Sequence, residues 1–260
     1  MRVVICPDLA VVATTAADIV TDLAVRKPQG TLGLATGSSP LGLYAELAER
    51  VAAGLDMSGL SGFALDEYVG LAPDDPRSYA YVIRTRVTEP LRLKPENVYV
   101  PTGLGDDLGA ECLAYEDAIR AAGGIDIQIL GIGRNGHLGF NEPTSSFASR
   151  TRVASLASWT RQDNARYFGS PDDVPRECVT QGLGTIMAAR MTLLIATGAA
   201  KAGAVARAVE GPVSALCPAS ILQHHENAVV IIDEQAAGEL ALVDYYRDTH
   251  RRSTRDTVAG

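Results

Sequence analysis

The stretch Gly131-Ile132-Gly133-Arg134-Asn135-Gly136-His137-Leu138-Gly139-Phe140-Asn141-Glu142-Pro143 places a histidine and a carboxylate, His137 and Glu142, on a glycine-flexed loop at the exit of an apolar strand. A histidine oriented by a carboxylate or an amide is an acid–base unit near neutral pH. A capping or structural histidine is the alternative reading. Metal ligation is disfavoured, because no second His or Cys stands at ligand spacing. The chain has four histidines, and His224, His225 and His250 fall in helical or tail contexts. The stretch also contains G-x-G-x-x-G, the dinucleotide fingerprint. Context rejects that reading: the fingerprint opens a helix, and Gly139 and Pro143 interrupt any helix soon after Gly136.

Three other junctions carry chemistry. Ala35-Thr36-Gly37-Ser38-Ser39-Pro40 joins an apolar strand to a helix beginning near Pro40 or Leu41. There Gly37 permits close backbone approach, while the Ser38 and Ser39 groups and the helix dipole converge as an anion site. A plain turn with a serine N-cap reads equally well from these residues alone. No Gly-Lys-Ser/Thr follows, so the turn is not a nucleotide P-loop. Ala64-Leu65-Asp66-Glu67-Tyr68 ends a buried strand in two acids, which point to opposite sides. At most one faces a cleft, where it can move protons; for an isolated pair, solvated turn acids are the commoner outcome. Lys201 follows a strand and sits in the first turn of the next helix, where its charge opposes the dipole and invites an anion; a snorkelling surface lysine is the alternative. Arg161 and Arg166 lie on a short amphipathic helix within 155–179, bounded by Gly169, Pro171 and Pro175. A mobile cover bearing an arginine fits this composition, although such charges usually end on a solvated face.

The elements that must position these groups alternate. Short β-rich runs at Val3–Cys6, Thr31–Ala35, Phe63–Asp66, Asn97–Pro101, Asp126–Gly133, Met191–Thr197 and Ala228–Asp233 are separated by segments of helical period. The helices are expected near 8–26, 40–53, 78–88, 107–122, 158–168, 199–210 and 235–250. This is the pattern of a three-layer, doubly wound α/β fold: a mostly parallel sheet of about seven strands with helices on both faces. Asp126–Gly133 and Met191–Thr197, apolar on both faces, are expected at the centre. In such sheets ligands sit beyond the carboxyl ends of the strands, where all the junctions above fall. One domain over 1–250 is expected, with a cover near 155–179 and a polar tail at 251–260.

The 260 residues, 47% of them hydrophobic and 21% charged, suffice for one large core and exclude a disordered or fibrous chain. A net charge of −8 disfavours nucleic acid and anionic membrane as partners. Cys6, Cys112, Cys178 and Cys217 are scattered without a C-x-x-C pair, which suggests neither zinc nor disulfides and fits a reducing cytoplasm. The apolar run Val3–Cys6 is too short for a signal peptide, and no run approaches the roughly 20 residues of a membrane span. A soluble, cytoplasmic protein is expected.

Together, the strings L-G-L-A-T-G-S-S-P, A-L-D-E-Y-V-G-L, S-Y-A-Y, G-I-G-R-N-G-H-L-G-F-N-E-P with S-S-F-A-S-R-T-R, and V-E-G-P-V-S-A-L-C-P-A-S-I-L-Q-H-H resemble, in order, the glucosamine-6-phosphate deaminases. The resemblance runs from Thr31 to about Leu240. It implies that Asp66 shuttles a proton between C2 and C1 of an opened amino sugar, and that His137, partnered by Glu142, helps open the ring. It implies that Gly37, Ser38, Ser39, Arg166 and Lys201 hold the phosphate, with no metal or organic cofactor. The reaction would be a ketol isomerisation with hydrolytic deamination, giving fructose 6-phosphate and ammonia. Asn135 departs from the enteric members, which carry aspartate there; it can orient His137 but supplies no charge.

Related activities compete with this one. 6-Phosphogluconolactonases share the glycine-rich strand exit and its histidine, but typically continue with a T-A-S-L-F-P-like run where this chain has L-G-F-N-E-P. A galactosamine-6-phosphate deaminase would differ only at C4, and a non-catalytic sugar-phosphate sensor would not need Asp66, His137 and Glu142 together. Hexameric enteric members are activated by N-acetylglucosamine 6-phosphate at a subunit interface, so the resemblance admits a homo-oligomer. Ser145 and Arg152 match that regulatory site, while Ala154 replaces a lysine, which implies weak or absent activation.

Overall fold

A computed structural model describes residues 1–258. The elements run β1 (Arg2–Cys6), α1 (Leu9–Arg26), β2 (Thr31–Leu34), α2 (Leu41–Ala52), β3 (Ser61–Ala64), β4 (Asp66–Tyr68), α3 (Tyr79–Ile83), β5 (Val98–Tyr99), α4 (Leu108–Ala121), β6 (Ile127–Leu130), β7 (Arg152–Ser155), α5 (Ser158–Asn164), β8 (Glu177–Thr180), α6 (Leu183–Met187), β9 (Met191–Ala196), α7 (Ala202–Val209), β10 (Ala228–Asp233) and α8 (Val243–Val258). Seven strands form a wholly parallel sheet in the order β1-β10-β9-β6-β2-β3-β5, with helices on both faces. β6 lies at its centre with β9 beside it, and every residue of β6 is buried. Apolar runs become inner strands because burial on both faces rewards them and leaves no polar face to hydrate.

The order of the strands fixes where a ligand can bind. From β2 the chain winds outward through β3 to β5; it then returns to β6 and winds the other way through β9 and β10. The reversal lies between β2 and β6, so the loops leaving these two neighbours part and open a crevice. Those loops are the Gly37–Ser39 turn and the His137 loop.

The chain departs from expectation in two places. The run Phe63–Asp66 is not one strand. The Leu65 amide donates to the Leu34 carbonyl at 2.9 Å in the main sheet, while its own carbonyl accepts from the Gln181 amide at 2.7 Å. The next residue, Asp66, therefore starts a second, antiparallel sheet, β4-β8-β7, in which Asp66 faces Thr180. This small sheet was not anticipated. The last helix, expected over 235–250, instead starts at Val243 and runs to Val258, taking in most of the segment read as a polar tail. Among the described residues, no helix is long and apolar enough to cross a membrane.

A small hydrophobic cluster, separate from the main core, lies under the second sheet, where Tyr68, Phe140, Leu156, Val174 and Cys178 are buried together. It supports the β7–β8 connection, whose base is closed by the Leu156 amide donating to the Arg176 carbonyl at 2.8 Å. The expected cover is thus the insertion 156–176 in an antiparallel hairpin.

Candidate active site

The strand exits converge on a cavity of about 460 Å³, lined by Asp66 and His137 together with Gly37, Ser38, Ser39, Arg166 and Lys201. Each expected substrate-contacting residue reaches it. Glu142 and Asn135 stand behind His137.

The histidine loop is shaped by its glycines. The Gly133 amide donates to the His137 carbonyl at 3.0 Å, closing a tight turn, and Gly136 adopts a φ of +87° that disfavours any side chain. A Cβ on Gly133 would lie 2.3 Å from His137 Cε1 and Nε2, so the imidazole occupies the space a side chain would need. His137 Nδ1 stands 3.5 Å from Glu142 Oε2, and Asn135 Nδ2 donates to the same oxygen at 2.6 Å. The Asn135 side-chain oxygen accepts from the His137 amide at 3.2 Å, so Asn135 orients the pair without charge. Burial opposes ionisation of Glu142, but the His137 ring, the Thr160 hydroxyl and the Asn135 amide outweigh it and bring its pKa down to about 2. Glu142 is therefore a fixed negative charge behind the imidazole across the physiological range.

Asp66 and Glu67 are both buried, which excludes the solvated-turn reading, and they part as the strand period requires. Glu67 turns away from the cavity and accepts from the amides of Tyr68 (2.8 Å), Tyr79 (3.0 Å) and Ala80 (2.8 Å), which ties β4 to the start of α3. Asp66 faces the cavity. Burial, and then the charge of Glu67, hold its carboxyl well above the usual carboxylate range, with no hydrogen bond to offset them. Gly139 explains how so small a gap is kept beside it: its φ is +55°, and a Cβ there would meet Asp66 Oδ2 at 3.1 Å and Thr180 Oγ1 at 3.0 Å.

In the turn after β2, Gly37 has a φ of +91° and the helix α2 starts from Pro40 without a side-chain cap, so the serine N-cap alternative does not hold. The amides of Gly37, Ser38 and Ser39 donate to no group of the chain among the described residues. Lys201 approaches from a turn set by Gly198, whose amide is held by the Asp233 carboxylate at 2.9 Å. Its ammonium donates to the Ile132 carbonyl at 2.6 Å. Burial, with Arg166 and Arg134 nearby, lowers the Lys201 pKa against the opposing charge of Asp163. An anion placed among these groups would restore the balance. We expect Lys201→Ala to raise the KM for a phosphorylated substrate by about tenfold or more, as loss of a charged hydrogen bond does; initial-rate kinetics read this, and a large fall in kcat at unchanged KM would count against it.

The sequence reading left several contributors unassigned. Thr160, Asp163, Asn164, Tyr79 and Arg134 also line the cavity. The segment around Cys217 braces the histidine loop: the Ala219 amide donates to the Gly136 carbonyl at 2.8 Å, and Cys217 fills the space beside Gly136. His225 is structural, its Nδ1 accepting from the Asn227 amide and its Nε2 meeting the Ala189 carbonyl at 2.9 Å. Arg152 donates to Ser145 Oγ at 3.1 Å and to Asn141 Oδ1 at 2.8 Å, which places both expected regulatory residues together beside the His137 loop.

A doubly wound α/β fold that sets a buried carboxylate, a histidine–carboxylate pair and a cationic rim around one cavity is suited to proton transfer on a small anionic molecule. The chain belongs to the family of glucosamine-6-phosphate isomerases and 6-phosphogluconolactonases, whose profile matches residues 9–231. It is 57% identical over 250 residues to a glucosamine-6-phosphate deaminase of Pseudarthrobacter chlorophenolicus, covering 96% of each chain. It is 56% identical to the Cutibacterium acnes protein of the same name, covering 100% of this chain and 99% of that one. A solved structure described as a monomeric glucosamine-6-phosphate deaminase superposes with a TM-score of 0.89 at 43% identity, over 92% of this chain and all of the other. A 6-phosphogluconolactonase from Leishmania guyanensis, 22% identical, shares the fold with a TM-score of 0.71 over 90% of this chain and 97% of that one.

Proposed function

We propose that this chain converts glucosamine 6-phosphate to fructose 6-phosphate and ammonia. The observation that supports this most is the isolated, buried Asp66 carboxylate facing the same cavity as His137 and the Lys201–Arg166 end. Relatives at 56–57% identity with that name agree with it.

The steps follow from the chemistry of the groups. The phosphate, held by the Gly37–Ser39 amides, Lys201 and Arg166, fixes the sugar carbons relative to the acid–base groups. His137, kept in place by Glu142 and Asn135, moves the proton between O5 and O1 and so opens the pyranose to the C1 aldehyde. Asp66 as carboxylate takes the proton from C2, giving a planar enolamine, and returns it to C1. C2 is then oxidised to an imine and C1 reduced to an alcohol, so no outside redox partner is involved. Water adds to C2, the C–N bond breaks and ammonia leaves; this last step is the hydrolytic part of an isomerase reaction. We place it in a reducing cytoplasm, which suits four free, buried cysteines. All the groups invoked come from one chain.

Ammonia release from glucosamine 6-phosphate tests the reading, with its C4 epimer and 6-phosphogluconolactone as competitors. Release from the first and a lower rate with the epimer are expected; lactone hydrolysis without ammonia release would overturn it. The regulatory expectation is that N-acetylglucosamine 6-phosphate leaves the saturation curve unchanged. Arg152 is already engaged by Ser145 and Asn141, and Ala154 supplies no second charge. A sigmoidal curve made hyperbolic by that compound would refute this.

A further inference from the structure

The segment that covers the cavity makes polar contacts to Glu142 and to Tyr68 beneath it. Thr160 and Asn164 are four residues apart on α5 and so share one face of the helix, and both line the cavity. The buried Thr160 donates its hydroxyl to Glu142 Oε1, and the Ala157 amide at the start of α5 donates to the same oxygen at 3.3 Å. The other oxygen, Oε2, is the one that faces His137 and Asn135. One turn further along, Asn164 Nδ2 donates to Tyr68 Oη at 3.0 Å, which also accepts from the Tyr79 hydroxyl at 3.2 Å. Tyr68 stands two residues after Asp66 on β4, in the aromatic cluster with Tyr79, Phe140 and Phe168.

Besides these two polar contacts, the segment is held by Arg134 facing Asp163 at 3.6 Å and by the Phe168 ring against Tyr68. α5 is seven residues long, too short to persist without tertiary support. Of the large apolar side chains in and after it, Trp159 and Tyr167 look outward, 54% and 52% exposed, while Phe168 packs inward. We propose that Thr160 and Asn164 are positioning residues, two latches that seat α5 on Glu142 and on Tyr68, so that the carboxylate orienting His137 also closes the cover carrying Arg166. The proposal rests on the amino-sugar phosphate reading for its kinetic consequences, though not for its structural ones. Lifting α5 strips Glu142 Oε1 of both its donors while Oε2 keeps Asn135, so the carboxylate is free to turn and His137 loses its fixed partner. Lifting the Asn164 end instead displaces Arg166, two residues on, from the phosphate end. The two latches therefore fail differently: the first in turnover, the second in binding.

Trp159 is the chain's single tryptophan and adjoins Thr160, so it reports on α5 directly. In substrate-free protein, Thr160→Val and Asn164→Leu should each increase acrylamide quenching of Trp159 and speed proteolytic nicking within 156–176 by about tenfold, the loss expected when a hydrogen bond holding a closed state is removed. Thr160→Ser, which keeps the hydroxyl, should behave as wild type. With glucosamine 6-phosphate, Thr160→Val should lower kcat about tenfold with little change in KM, and Asn164→Leu should raise KM about tenfold with kcat nearly kept. Thermal unfolding checks that each variant is folded, and Asn164→Asp, which removes the donor at nearly constant volume, replaces any leucine variant that is not. Wild-type quenching and nicking in both latch variants would overturn the proposal, as would a Thr160→Ser protein as loose as Thr160→Val. Absence of ammonia release by the wild type would sink the assigned reaction, and the substrate-free measurements then judge the latches alone.

Discussion

Asp66→Asn is expected to lower kcat by about 10²–10⁴-fold, the range for loss of a positioned general base, and at the same time to raise the unfolding temperature at neutral pH. The two effects have one cause. Asp66 is buried beside a second buried acid, so its ionised form is disfavoured in the folded protein and its pKa is raised. A carboxyl whose folded pKa lies above its unfolded value contributes most to stability below the unfolded value of about 4, and that contribution is lost as pH rises through the folded value. Above the unfolded value, folding must either bury the charge or take up a proton, a cost that asparagine, nearly the same shape and uncharged, does not incur. Each kcal/mol relieved shifts the melting temperature by about 2–4 °C in a chain of this size. Melting the two proteins at pH 7 and pH 4 should show an advantage for the variant at pH 7 that closes at pH 4. In turnover the sign is reversed. The base must be ionised to accept the C2 proton, so wild-type kcat/KM should fall as pH drops through the raised pKa, while Glu142, at about 2, stays ionised throughout. Exchange of the C2 hydrogen with solvent deuterium should vanish in the variant with substrate binding retained. Persistent exchange would remove Asp66 as the base, and a variant less stable than wild type at pH 7 would remove the cost assigned to its charge.

The same residue shows how far the sequence could be read. The strands of the main sheet were legible because each is a short apolar run bounded by turn residues, and β6 and β9 were recognisable as central because they lack a polar face. Asp66 was placed at the end of one such run, and its junction with the cavity followed. That Leu65 belongs to one sheet and Asp66 to another was not legible, because the change is made by backbone hydrogen bonds to Leu34 and Gln181, and Phe63-Ala64-Leu65-Asp66 has no residue that marks it. β7, with alternating half-buried and exposed residues, is an edge strand too short and polar to stand out. The last helix was misplaced for a physical reason: Asp233 turns back to accept from the Ala236 amide, and Gly238 follows, so no helix forms until Val243. Arg251 to Val258 contains neither glycine nor proline, and the helix continues through it. His137, Glu142 and Lys201 were found because each follows an apolar strand, where this fold class places its ligands, and the Lys201 charge opposes the dipole of the helix it begins. Thr160 and Asn164 were not, since a hydroxyl and an amide on a short polar helix look like any solvated face until the fold shows what lies below them.

Gly133→Ala is expected to cost nearly as much activity as removing the imidazole, about 10²-fold or more in kcat, while changing stability little. Gly133 reads in sequence as part of a dinucleotide fingerprint, in which glycine admits a pyrophosphate. In the fold it admits a side chain of the same loop. A Cβ at Gly133 would stand 2.3 Å from Cε1 and Nε2 and 2.5 Å from Cδ2 of His137, well inside van der Waals contact. The backbone of Gly133 lies outside the region of positive φ, so alanine is not strained there, and the clash is with the far end of a side chain that can swing aside. Swinging aside, however, takes Nδ1 away from Glu142, and among the described residues that contact of 3.5 Å is the one that faces Nδ1. The methyl group therefore acts on the proton relay rather than on the core. Because the alanine works only by displacing the ring, its effect should be absent once the ring is gone: Gly133→Ala in a His137→Gln background should lower kcat by less than about twofold further, as for residues acting as one unit. Losses that multiply, or a Gly133→Ala enzyme at full turnover, would show that the imidazole does not work from this position. Both variants should be slower on the cyclic sugar phosphate than on substrate supplied already open, since ring opening is the step assigned to His137.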